Sequence, residues 1–102
     1  MDIKEIQKKA TMVSNRYASS QDINRDDDWY VLKLQEEVGE LIQSYLSFTN
    51  RGRKRDKSDA EIKGNFADEL ADIIGQTLLI ADHHNIDIED ALENKWFKYL
   101  DK

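Results

Sequence analysis

Apolar residues recur every three or four positions along most of this chain, and they do so in four separate stretches. The first carries Ile3, Ile6, Ala10, Val13 and Tyr17 and predicts a helix from about Ile3 to about Ala18. Asp2, with Glu5 three residues on, supplies a capping pair at its start. "SSQDINRDDD" breaks the pattern and reads as a polar loop. The second stretch has the seam Val31, Leu34, Val38, Leu41, Tyr45 and Phe48, with Asp28 as the expected N-cap. It ends before the basic loop "NRGRKRDK". Ser58 and Glu61 form a capping box that opens the third helix, where Gly64 costs about 1 kcal/mol against alanine. From Phe66 to Ala81 that helix is apolar around most of its girth and should be central, stopping near Asn85. Asp87, with Asp90 at the third helical position, caps a fourth helix expected to run through Trp96 to about Tyr99. The pattern predicts one all-α domain over residues 1–102, an antiparallel bundle of about four helices.

Composition narrows the partners. The chain has no proline and only four glycines among 102 residues, which suits long uninterrupted helices. Its net charge of −6 disfavours a nucleic-acid backbone as ligand. Without cysteine, neither a disulfide nor a thiolate zinc site can form. No apolar run approaches the roughly 18 residues of a membrane span, and no signal-peptide core is visible. The expectation is a soluble, cytoplasmic protein with no nucleic-acid and no membrane partner.

The acids change the picture. At about 100° per residue, Glu37 falls at the edge of the second helix's apolar arc and Glu40 farther round on the same side. Glu36 lies nearly opposite the seam. On the third helix, Glu69 flanks the apolar arc, Asp72 lies beyond it, and Gln76 continues the polar stripe. If those edges face each other, four carboxylates converge. Repulsion and burial then raise their pKa values unless a cation joins them. All-oxygen ligands suit Mg²⁺, with Mn²⁺ as the alternative. Against this stands the common use of glutamate on solvated helix faces.

Those residues resemble a known signature. "EEVGEL" followed by "DELADI" is similar to the EExxE…ExxD pattern of the MazG-like, all-α nucleoside triphosphate pyrophosphohydrolases. "NKWFKY", Asn94 to Tyr99, resembles the segment that closes that family's last helix. The resemblance covers roughly residues 29 to 99. It implies Mg²⁺-dependent cleavage between the α and β phosphates of a nucleoside triphosphate, in the service of nucleotide-pool house-cleaning. It also implies metal ligation by Glu37, Glu40, Glu69 and Asp72, with Glu36 as a further ligand or as the base that orients water. By the same resemblance, Asn94, Lys95 and Lys98 face the phosphates and Trp29 lines the base pocket. Relatives often add an arginine after this segment; here the sequence reads "YLDK", so that contact is lacking or another residue supplies it. A homodimer or homotetramer is implied too, and the apolar stripe of the first two helices independently suggests self-association.

Other features admit two readings each. Arg51, Arg53, Lys54, Arg55 and Lys57 either meet the triphosphate or form a solvated connection. His83 and His84 diverge on a helix and suit its C-terminus better than a shared ion. Asp26 to Asp28 suits capping better than metal binding, and Lys33 pairs with Glu37 or meets the phosphates, with the ion pair as the default. Tyr45 and Phe48 belong to the seam or to a base pocket. The competing functions are a non-enzymatic acidic helical module and a hydrolase of the same fold restricted to dUTP. A carboxylate-bridged iron bundle is disfavoured, because no histidine follows Glu37, Glu40 or Glu69 at three positions.

Overall fold

Four helices form where the apolar periodicity places them. The computed structural model describes residues 1–54 and 56–101, so Arg55 and Lys102 lie outside the described residues. The helices are α1 (Ile3–Gln21), α2 (Asp27–Phe48), α3 (Asp59–His83) and α4 (Ile88–Lys95), followed by a 3₁₀ turn, Phe97–Tyr99. Among the described residues there is no strand. Each α-helix opens on a side chain that accepts a backbone N–H: Asp2 from Glu5, Asp26 from Trp29, Ser58 from Glu61 and Asp87 from Asp90. At Ser58 the capping box is complete, since Glu61 accepts the Ser58 N–H in return. The cap of α2 is therefore Asp26, not the expected Asp28. All three aspartates can cap, and Asp26 does so because the chain re-enters helix one residue after it.

Three helices end the same way. Asp22, Asn50 and Asn85 adopt the left-handed conformation, with φ of 54°, 62° and 57°. The next N–H in each case donates back across the last turn: Ile23 to the Ala18 carbonyl, Arg51 to Leu46, Ile86 to Ala81. This is the Schellman closure, made with short polar side chains that tolerate the left-handed region instead of glycine. It carries α1 to Gln21, three residues past the expected end, and converts part of the predicted loop into helix. At the other extreme, α4 is shorter than expected. It stops at Lys95, and the last turn tightens into 3₁₀ geometry.

Helix α3 packs most extensively on α2 and also touches α1, while α4 rests against α1. Rings at both ends show that α2 and α3 run antiparallel. Tyr30, at the start of α2, stacks on His83 at the end of α3, with centroids 4.2 Å apart. Phe48, at the end of α2, stacks on Phe66 near the start of α3 at 5.1 Å. His83 adds a 2.6 Å contact from Nε2 to Asp27 Oδ1. Hydrogen bonding to that imidazole holds the Asp27 carboxyl below its usual range. His83 thus ties two helices together, while His84 is exposed.

The covered core is small: Ala18, Tyr30, Ile62, Leu78, Leu79 and Ala81. Glycine at 64 does not interrupt α3. The α2 seam is only partly covered, since Val31 and Phe48 at its ends are exposed while Tyr30 is buried. The central helix α3 also leaves Leu70 and Ile74 in the open. The radius of gyration is 16.2 Å, against about 13 Å for a compact chain of about 100 residues.

Candidate metal centre

The antiparallel pairing of α2 with α3 brings two helical acid pairs face to face. Glu37 and Glu40 stand one turn apart on α2, and Glu69 and Asp72 one turn apart on α3. One carboxylate oxygen from each lies within 4.8 Å of the other three. Burial follows the angular reading of the sequence. Glu37 is 7% exposed, Glu69 is half-buried, and Glu40 and Asp72 reach solvent.

A single cation offsets the charge of the quartet only in part. Lys33 Nζ lies 3.6 Å from Glu37 Oε1 and 3.3 Å from Glu36 Oε1. No other cation pairs with these acids among the described residues. Burial, then the charges of Glu40 and Asp72, push the Glu37 carboxyl up to about 7 despite Lys33. Burial and the same two neighbours also push Glu69 up. The Oε2 atoms of Glu37 and Glu69 are buried and have no hydrogen-bond partner. Two orphaned carboxylate oxygens among four crowded acids fit a hard divalent cation, which takes oxygen ligands and cancels their charge.

Two cavities flank the quartet. The larger, about 600 Å³, is lined by Glu40 and Glu69, by polar side chains that include Asn65, and by Arg53, Lys54 and Lys57. The smaller, about 450 Å³, is mostly apolar. Val13, Tyr17 and Trp29 line it together with Lys33, Asp72 and Gln76. Gln76 Oε1 is buried there without a hydrogen-bond partner. The exposed ends of the α1 stripe, Val13 and Tyr17, are thus a cavity wall.

The remaining expected site residues divide. Trp29 is half-buried and lines the apolar cavity. Glu36 stays outside the quartet, with its side chain 58% exposed and turned to Lys33. That position follows from its place nearly opposite the α2 seam. Asn94, Lys95 and Lys98 are exposed on α4 and the 3₁₀ turn, and none lines either cavity. Helix α4 rests on α1. Tyr45 and Phe48 pack on Phe66, which favours their seam reading. Sequence reasoning did not place Gln76 in a pocket, although its position on the polar stripe beside Asp72 was visible.

Over 63 residues the chain is 32% identical to "Uncharacterized protein YvdC" of Bacillus subtilis (strain 168), a match covering 59% of this chain and 59% of that protein's length. No protein-family model matches the chain. No solved structure matches it.

Proposed function

We propose that this protein is a Mg²⁺-dependent nucleoside triphosphate pyrophosphohydrolase of the MazG-like kind, cleaving between the α and β phosphates. The observation that carries the reading is the acid quartet, two of whose buried oxygens lack any partner. Glu37, Glu40, Glu69 and Asp72 hold the cation, for which Mn²⁺ can substitute. A divalent ion there supplies positive charge against the phosphate oxygens and lowers the pKa of water. Phosphoryl transfer asks little else of a protein than position and charge, so no serine or cysteine nucleophile is required. In the reaction, water adds across the α–β anhydride. Its oxygen joins one phosphorus, the bridging oxygen leaves with the other, and a proton is released to solvent. Trp29, Tyr17 and Val13 offer a ring-sized apolar wall beside Asp72, suited to a nucleobase. A role in clearing nucleotides from the pool follows from that activity.

The purified protein with Mg²⁺ and a panel of ribo- and deoxynucleoside triphosphates tests the reading. Pyrophosphate and nucleoside monophosphate are the expected products. Orthophosphate as the first product, or no turnover with any base, refutes it; the latter favours a non-enzymatic helical module.

The same reading includes self-association. An extended single chain with Val31, Leu32, Ile42, Leu70 and Ile74 exposed leaves apolar surface that a second copy can cover. Light scattering on a sizing column should give a mass of two or four chains, and Ile74→Asp should lower it. A monomeric wild type contradicts this part.

A further inference from the structure

The loop after α2 is held in place, not merely solvated. Its backbone crosses the last turn of α2 so closely that a Cβ on Gly52 would lie 3.0 Å from Ser47 N and 3.2 Å from Leu46 Cβ. Ser47 Oγ donates to the Arg53 carbonyl at 2.8 Å, and the Lys57 N–H donates to the Lys54 carbonyl at 3.0 Å. These bonds divide the cations of the loop. Arg51 is turned aside: its Nε donates to Thr49 Oγ1 at 3.0 Å and its guanidinium covers the Tyr45 ring at 5.3 Å. Arg53, Lys54 and Lys57 line the larger cavity opposite Glu40 and Glu69. Among the described residues, none of the three has a carboxylate partner within ion-pair distance.

Cations without partners facing a cavity invite an anion rich in oxygen. The apolar cavity on the Asp72 side has two cations on its wall, Lys9 and Lys33, and Lys33 is already engaged by Glu36 and Glu37, which leaves one there against three in the larger cavity. The acid quartet therefore lies between a basic cleft and an apolar one. We infer that Arg53, Lys54 and Lys57 form the subsite for the β and γ phosphates, and so fix the direction in which the triphosphate lies across the quartet. The nucleoside points toward α1 and Trp29, and the β and γ phosphates point toward the loop. This inference rests on the hydrolase reading for the identity of its ligand. The loop cations offset the charge of the β and γ phosphates, which leave together as pyrophosphate.

Calorimetric titration of pyrophosphate in the presence of Mg²⁺ tests the subsite without turnover. The triple variant R53Q/K54Q/K57Q is compared with K4Q/K8Q/R16Q. The second set changes net charge equally, on exposed α1 positions that line neither cavity. Circular dichroism melting confirms that both fold. The loop variant should weaken pyrophosphate binding by about tenfold or more, and the control by less than about threefold. Nucleoside monophosphate binding should change less than about threefold in both. Equal effects in the two variants, or no pyrophosphate binding by the wild type, overturn the subsite. Loop-dependent binding in a protein without turnover removes the hydrolase reading but leaves a diphosphate site. Turnover with loop-independent binding removes the subsite alone.

Discussion

Glu69→Gln is expected to lower pyrophosphate release by about 10²-fold or more, about 2.7 kcal/mol in barrier, while the protein stays folded. The substitution keeps the size and helix preference of the side chain but removes its charge. Glu69 is half-buried, and its Oε2 has no protein partner to lose. Neutralising it relieves repulsion with Glu40 and Asp72, so folding should not suffer. What is lost is one of the four negative charges that the proposed cation would need. Glu36→Gln is the matched comparison, one residue from Glu37 in sequence but exposed and outside the quartet. Its loss should stay within about threefold. Turnover numbers for both variants across a Mg²⁺ titration make the check. Equal losses would mean that the quartet is not the working unit.

The second large effect is on stability, and its sign depends on metal and pH. The Glu37 carboxyl titrates near 4.5 when free and at about 7 in the folded chain. The folded state therefore holds that proton more tightly than the unfolded state. Below about pH 4.5 both states are protonated and the group costs nothing. As pH rises, the unfolded chain ionises first and a penalty accumulates, complete above about pH 7. At about 1.4 kcal/mol per pH unit over that window, the metal-free protein loses on the order of 3 kcal/mol. Glu69 is shifted in the same direction and adds to the trend. Glu37→Gln should therefore melt several degrees above wild type at pH 8 in chelator, with the gap closing toward pH 4. Saturating Mg²⁺ should reverse the order at pH 8, since wild type gains binding free energy that the variant lacks. A variant less stable than wild type at pH 8 in chelator would mean that Lys33 satisfies Glu37 already.

The sequence made the helices and the acid geometry legible for one reason: both are local. Seam spacing and capping side chains act within a turn or two, so Ser58 and Asp87 announced α3 and α4 correctly. The same counting put Glu37 and Glu69 at the core edge and Glu36 outside, as their burial shows. Events at helix ends were less legible. Asp22 in the left-handed region extends α1 through residues that looked like loop, because Ile23 turns back onto the Ala18 carbonyl. Which apolar positions are covered was not local either. Val31 and Tyr30 are neighbours, and Tyr30 is the buried one, packed against His83 on α3 and under the Arg25 guanidinium from the preceding loop. The basic loop carried its charge in plain view. Its placement beside Glu40 and Glu69 depends on Gly52 and Ser47 folding it over α2, which charge counting does not show.

The most direct measurement is an anomalous-scattering map from a crystal soaked in Mn²⁺. The account predicts manganese in the α2–α3 groove, within about 2.0–2.6 Å of carboxylate oxygens from both helices, Glu37 and Glu69 among them. A map with no metal there, and with those carboxylates turned apart into solvent, would contradict it.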